Sequence, residues 1–305
     1  MRWLQGKTQS AKQPAARPPA VVELTPEGVL AAALPGKGAP AVVAFEPLPA
    51  GSLAPGIASA NLENPNAVAT AIRKALDQVS PRKRAVTLIV PDSAVRVFVL
   101  DFDSLPARPA EAIPVLRFRL RKMVPFDVEQ AGVSYQVLTE NKTEMRVLTT
   151  VMPGTALAEY EAAVRAAGYE PGVVLSASLA ALAKVEPDEP VLTACLNAGS
   201  LTTAIAHGQD LLLYRTLDLP EDPAQRLAEV QRDIAVASAF FEDSLQMRPR
   251  SLYYAGRGTA EDFARWIQER DMEVVDLETR PATGAATALG QVSLAGVTGA
   301  LAGVE

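Results

Sequence analysis

Apolar positions along this chain follow two rhythms, alternation and helical spacing, and the order of the rhythms repeats. Residues 21–34 (VVELTPEGVLAAAL) predict two short strands around a turn at Pro26-Glu27-Gly28, and residues 41–46 predict a third. Proline and glycine crowd 47–56 into a loop. Val68, Ile72, Ala75, Leu76 and Val79 then recur at helical spacing, predicting a helix from about Asn66 to Val79. Residues 85–102 (AVTLIVPDSAVRVFVLDF) predict a strand pair turned at Pro91-Asp92-Ser93, with Val95, Val97 and Val99 alternating with Arg96, Phe98 and Leu100. A helix with Leu116, Leu120 and Met123 on its buried side stops before Pro125. Strands follow near 133–138 and 145–152, then a helix from Ala156 to Ala167 closed by Gly168, a short strand at 173–175 and a short helix at 176–184.

After Glu186-Pro187-Asp188-Glu189-Pro190, which reads as a lobe boundary, the pattern restarts. Strands are predicted near 191–197, 201–207 and 211–218, then a long helix over about 224–243 with a buried stripe of Leu227, Val230, Ile234, Ala237 and Phe241. A strand at 251–255, a helix at 260–270, a strand at 272–276 and a helical segment near 284–302 complete it. Three meandering strands and a helix, used twice, are the plan of the actin-like (ribonuclease H-like) fold: α/β, two-lobed, with duplicated mixed five-stranded sheets. The expected division is a disordered basic tail over 1–20, a first lobe over 21–186 with a small α/β subdomain inserted at about 92–170, and a second lobe over 187–305. The duplication lies in the order of elements, not in matching residues.

Composition changes this picture little. The chain has 305 residues, enough for two domains at roughly 150 residues each. Its formal charge of −6, from 29 basic and 35 acidic residues, argues against broad nucleic-acid binding. Residues 1–20 carry Arg2, Lys7, Lys12 and Arg17 with no acidic residue, and Pro14, Pro18 and Pro19. A basic tail is drawn to an anionic leaflet by about 1 kcal/mol per charge, although a solvated terminus is the simpler reading. No signal peptide is expected, since no apolar run follows the early charges, and no stretch reaches the ~20 apolar residues of a bilayer span. A single cysteine, Cys195, forms no intrachain disulfide and suits a reducing compartment, with cytosol the default.

The residues from Arg84 to about Leu138 carry a resemblance. A strand–turn–strand unit, a helix ending in Pro125-Phe126, and then Tyr135-Gln136 in a strand resemble the type IV pilus assembly protein PilM family, relatives of the actin-like cell-division protein FtsA. The likeness continues more weakly through 191–218, the DIAVASAFFED stretch at 233–243 and the YYAGRG turn at 253–258, and spans nearly all of 20–303. It implies a cytoplasmic protein at the inner face of the inner membrane. Such a protein grips a short N-terminal segment of a bitopic, PilN-like partner and couples the assembly platform to the pilus motor ATPase. Self-association and a type II secretion context remain open.

The resemblance also implies a nucleotide cleft, which this sequence alters. Actin-like ATPases hold Mg-ATP with two hairpins beginning Asp-x-Gly, where small residues and a hard carboxylate are needed. The first hairpin here is Glu23-Leu24-Thr25-Pro26-Glu27-Gly28: Thr25 replaces the glycine, Pro26 removes a donor, and Glu27 brings charge that repels phosphate. In the second, Leu196-Asn197-Ala198-Gly199, an amide replaces the aspartate, with Ser200, Thr202 and Thr203 offering hydroxyls. The third element, Ala255-Gly256-Arg257-Gly258, keeps two glycines around a bulky Arg257, and Leu219-Pro220-Glu221-Asp222 stands where the family has paired glycines. Glu23, Thr25, Asn197, Gly199, Gly256 and Gly258 are therefore expected to line a vestigial cleft, with no cofactor bound and no catalysis. Binding of ATP and magnesium, with Arg257 contacting a phosphate, is the alternative.

Other chemistry is thin. His207 sits at a predicted hairpin end beside Gly208, where a surface role is ordinary. One histidine and one cysteine do not make a metal site of the usual kind. Cys195 lies in an apolar run, where a thiol is inert, although a pairing with His207 across adjacent strands is conceivable. Glu261-Asp262 suits the first turn of a helix. A sugar-kinase-like transferase would need an aspartate between the lobes, and none stands out. The basic run Arg117, Arg119, Arg121 and Lys122 reads equally as a solvated helix face or as a docking surface. On the docking reading Arg117, Arg121, Phe98, Phe126 and Tyr135 are the candidate partner contacts, the aromatics being equally explained as core.

Overall fold

The structure is a computed structural model and describes residues 17–36, 41–141, 143–185, 189–208, 210–267, 272–278 and 292–302. The first lobe runs β1 (Ala20–Thr25), β2 (Gly28–Ala33), β3 (Val42–Pro47), α1 (Pro65–Val79), β4 (Ala85–Val90), β5 (Arg96–Phe102), α2 (Pro109–Leu120), β6 (Gly132–Glu140), β7 (Met145–Met152), α3 (Gly154–Ala166), β8 (Glu170–Ser176) and α4 (Ala177–Leu182). The second runs β9 (Val191–Leu196), β10 (Ser200–His207), β11 (Asp210–Asp218), α5 (Pro223–Leu245), β12 (Ser251–Gly256), α6 (Ala260–Ile267), β13 (Glu273–Asp276) and α7 (Ala295–Ala302).

The two main sheets share one topology. Their strand orders are β3-β2-β1-β4-β8 and β11-β10-β9-β12-β13, each an antiparallel meander extended by two parallel strands. The repetition reaches the helix caps. Asn64 accepts a hydrogen bond from Ala67 N at 3.1 Å ahead of Pro65, and Asp222 accepts one from Gln225 N at 2.9 Å ahead of Pro223. An Asx cap followed by proline at N1 starts a helix well, because proline there loses no intrahelical bond. Both helices end on a left-handed residue, Ser80 at φ 48° and Gln246 at φ 53°.

β1 and β2 are buried on both faces, as central strands with helices on either side must be. Ala20, Val22 and Leu24 point to the core under α1 and α3. Val21, Leu30 and Ile89 point the other way, to α4 and to α7, which returns from beyond the second sheet. There α4 and α7 approach closely: a Cβ on Gly299 would lie 2.1 Å from the Ala180 carbonyl oxygen. In the second lobe Val230, Ile234, Ala237 and Phe241 of α5 and Phe263 of α6 cover β9, β10 and β12.

The third sheet, β5-β7-β6, is inserted between β4 and β8. Phe98, Leu100 and Phe102 face Leu116 and Leu120 of α2 and the loop after it. Val97, Leu148 and Met152, on the opposite face, join the first lobe's core together with Leu211 and Tyr214 of the second lobe. The insert thus braces one lobe against the other. Arg96 meets Asp218 at 2.6 Å, and Arg146 spans Asp101 at 3.0 Å and Asp210 at 3.1 Å.

Several expectations change. The strands at 85–90 and 96–102 do not pair. Residues Asp92–Ala94 form a 3-10 turn that sends the chain from the first sheet into the insert, where β5 pairs with β7. Met123 is not on a buried helix face: α2 ends at Leu120 and Met123 is 39% exposed. The insert ends at β7, because α3 packs on α1 and β8 of the main sheet. The basic tail is ordered by residue 18, where Pro18 is buried, and Pro19 O accepts from Leu34 N at 3.1 Å. Leu227 is only partly buried. Most of the boundary at 186–190 and the first part of the 284–302 helix lie outside the described residues, as do residues 1–16. No helix among the described residues is long and apolar enough to cross a membrane.

The α4–α7 contact gives a test. Gly299→Val forces the helices apart and is expected to cost about 1–3 kcal/mol, read as a lowered urea midpoint, whereas Gly199→Ala, whose added methyl meets nothing within 4 Å, should be close to neutral.

Candidate functional site

Between the lobes, the ends of β1, β4, β9 and β12 open on a cleft of about 260 Å³. The carboxyl ends of parallel strands are where α/β sheets place their sites. Glu23, Thr25, Asn197 and Gly256 line this cleft, with Glu27, Arg257, Leu30 and Phe45. Gly199 and Gly258 are not among the lining residues.

At its floor two acids are buried. Glu23 lies two residues after Val21 on β1 and so shares its face toward α7, whose Gly296 lies against it: a Cβ there would come within 2.5 Å of Glu23 Oε2. Among the described residues that oxygen has no hydrogen-bond partner. Burial, and secondarily the charge of Asp92, push the Glu23 carboxyl up to about 8. Asp92, directly after β4, is fully buried and accepts from Ser178 N at 3.1 Å, from Ser178 Oγ, and from Asn197 Nδ2 at 2.8 Å. Burial raises its pKa too, against the hydrogen bonds that Ser178 supplies. The Asn197 bond crosses from the second lobe to the first. Asn197 is thus a donor to a carboxylate, a role that the aspartate expected there cannot fill.

The hairpin turns are occupied with themselves. Thr25 Oγ1 donates to Gly28 O at 3.0 Å and accepts from Gly28 N at 3.2 Å, so the one donor that follows Pro26 and Glu27 turns inward. Asn197 N donates to Ser200 O at 2.8 Å. Gly256 is required by close packing, since a Cβ would sit 2.6 Å from both Leu196 O and Tyr254 Oη. Gly258 adopts φ +81° just before α6, where Thr259 and Asp262 cap each other reciprocally. Arg257 reaches across the mouth of the cleft to Glu27, 3.9 Å away.

Cys195 is buried beside this cluster, and burial pushes its thiol up to about 12, which suits the inert reading. His207 is exposed at the end of β10, paired in register with Asp210. Among the described residues no three His, Cys, Asp or Glu side chains converge as a metal would require.

The candidate partner residues fall together in the insert. Phe98 and Phe126 are partly buried in one apolar cluster and Tyr135 in the adjoining one. Arg117 is committed to structure: it donates to the carbonyls of Val128, Glu129 and Ala131, fastening the loop after α2. Arg121 meets Glu129 at 2.5 Å and is 57% exposed. Sequence reasoning missed two residues. In the sequence Asp92 reads only as a turn former, although a Pro-Asp pair directly after a buried, largely apolar strand is its signal. Phe118 is the most exposed large apolar residue described, at 70%, and it lies off the Leu116/Leu120 stripe.

The raised Glu23 pKa has a definite sign. A group that holds its proton more tightly when folded stabilises fully below its unfolded pKa, and that stabilisation is lost as pH rises through the folded value. Stability should therefore fall between about pH 4.5 and about pH 8, by at most about 1.4 kcal/mol per pH unit from this group. Glu23→Gln should flatten that stretch of a melting-temperature profile, and an unchanged slope would remove Glu23 as its source.

No protein-family model and no curated protein matches the chain. Its fold is nevertheless that of solved structures. A PilM–PilN type IV pilus biogenesis complex superposes with a TM-score of 0.73 at 22% identity, over 94% of this chain and 98% of the other. The cytoplasmic domain of EpsL, an inner-membrane component of the type II secretion system of Vibrio cholerae, gives 0.50 at 14% identity, over 77% and 81%. A Bacteroides thetaiotaomicron protein of actin-like ATPase fold and unknown function gives 0.51 at 11% identity, over 87% and 92%. The chain has the actin-like fold, in an arrangement similar over almost its whole length to the PilM–PilN structure.

Proposed function

We propose that this chain is a non-catalytic scaffold, working on the cytoplasmic side of an inner membrane in a type IV pilus assembly platform. It binds the short cytoplasmic N-terminal segment of a PilN-like membrane protein. The observation that carries this reading is the likeness to the PilM–PilN complex over 94% of the chain, taken together with the chemistry of the cleft.

That chemistry suits Mg-ATP poorly. Glu23 is held neutral at pH 7 against Gly296, and Asp92 spends its oxygens on Ser178 and Asn197. A hard cation needs charged oxygens that are free to ligate it. Pro26 offers no donor to a phosphate, and Glu27 and Arg257 meet over the entrance. At about 260 Å³ the cleft falls below the usual range of small-molecule sites, about 300–1,000 Å³. A second reading, a divergent nucleotide-binding ATPase of a pilus or type II secretion machine, draws on the survival of that cleft between the two hairpins.

The partner surface we assign is the exposed face of α2 and the turn after it. Phe118 is 70% exposed, Val115 38% and Met123 39%, and exposed Arg119, Arg121 and Lys122 surround them. An aromatic anchor in a basic rim fits a short apolar segment bearing acidic residues.

Fluorescence anisotropy with a labelled peptide of the partner's cytoplasmic segment tests both parts. Phe118→Ala should weaken binding about tenfold or more without moving the melting temperature, because an exposed side chain contributes little to folding. Arg117→Ala should lower stability as well, since it frees the carbonyls of the 128–131 loop. Full-strength binding by the Phe118 variant would move the surface elsewhere, and no binding to any variant would remove the scaffold reading. Mg-ATP titrated into the chain should give no saturable heat; micromolar binding would favour the ATPase.

A further inference from the structure

Helix α5 is apolar on two sides. Its inner face, Val230, Ile234, Ala237 and Phe241, is buried on the second sheet. A helix on a domain surface ordinarily turns a polar face outward. Between Arg232 and Asp243, α5 instead presents Ala235, Val236, Ala239 and Phe240 to solvent, with Val236 45% and Phe240 38% exposed. Ala228 extends the stripe at one end, and Met247, just past the left-handed Gln246 that closes α5, is 39% exposed beyond the other.

The stripe is symmetric about a point between Ala237 and Ser238. Arg232 and Asp243 stand equally far from that point, as do Ala235 and Phe240, and Val236 and Ala239. Only the charges differ from end to end. A two-fold axis through this point therefore lays a second α5 antiparallel on the first and brings Arg232 of each copy level with Asp243 of the other. A parallel arrangement sets like charges together. Self-complementarity of this kind is what an isologous interface requires. The small side chains at 228, 235 and 239 let helix axes approach to about 8–10 Å, leaving Val236, Phe240 and Met247 to bury apolar surface. Arg232 contacts Glu229 of its own helix at 2.7 Å in an exposed pair, and exchanging so weak a partner costs little.

We propose that the outer face of α5 is a homodimer interface, occupied by a second, antiparallel copy of this chain. The surface lies on α5 of the second lobe and shares no residue with α2, so its failure and that of the partner surface proposed above are separable.

Sedimentation velocity of the full chain across the micromolar range is the test, with far-UV circular dichroism to verify folding. A concentration-dependent monomer–dimer equilibrium is expected, abolished by Phe240→Asp. Arg232→Asp and Asp243→Arg should each weaken it about tenfold, roughly 1.4 kcal/mol, by setting like charges opposite. The double variant Arg232→Asp/Asp243→Arg should recover dimerisation, because the swapped pair is again complementary. A chain monomeric at every concentration overturns the proposal, even if this face captures some other protein. A dimer indifferent to Phe240→Asp overturns it equally, and two charge reversals that do not rescue each other overturn the antiparallel pairing.

Discussion

Two carboxyl groups are buried where the first lobe meets the second, and among the described residues neither has a full positive charge beside it. Asp92 is made tolerable by donors: the Ser178 amide and hydroxyl from its own lobe, and the Asn197 amide from the other. Glu23 has no such company and is kept by remaining protonated. Unpaired buried charge is costly enough that a protein neutralises it or surrounds it with hydrogen bonds, and this junction does one of each. The residues around it follow from that constraint. Gly296 is small because a carboxyl fills the space a side chain would take, and an amide at 197 gives Asp92 a donor where a second acid would repel it.

The lobes are tied at further points. At the mouth of the cleft Arg257 faces Glu27; along one flank the insert's Arg96 and Arg146 reach Asp218 and Asp210; behind, α7 rests on α4 and the first sheet. The exposed ion pairs are individually weak. The apolar contact of the insert with Leu211 and Tyr214 is continuous with the first lobe's core and carries more. An inter-lobe joint so braced suits a body that presents surfaces, and α2 and α5 each present an apolar one.

Much of the architecture was legible because its signals are local. Short apolar runs broken by turn residues over 21–34 and 191–218, the helical spacing of Val68 to Val79 and of Val230 to Phe241, and Gly168 at the end of α3 depend only on neighbours in sequence. What was misread depended on distant neighbours. The Pro91-Asp92-Ser93 turn has the composition of a hairpin, and only the presence of β8 beside β4 and β7 beside β5 shows that it changes sheets. Arg117 looked like one charge in a basic run because the carbonyls that it holds lie 11 to 14 residues on. The cleft residues Glu23, Thr25, Asn197 and Gly256 were found through the resemblance, yet Gly256 and Gly258 owe their glycines to strand packing and a helix start. Phe118 went unnoticed since a helix stripe identifies what is buried and says nothing of which outward residue is bare.

The position of α7 bears on how the chain is made. Val21, Leu30 and Ile89 of the first sheet are covered by Val297, Ala300 and Leu301, which are synthesised only after the whole second sheet. Until then the nascent first lobe has one finished face and one greasy, unroofed one. Early domain completion, the usual safeguard for a growing polypeptide, is denied to it, and the vectorial order of translation leaves that face to the care of chaperones until α7 emerges.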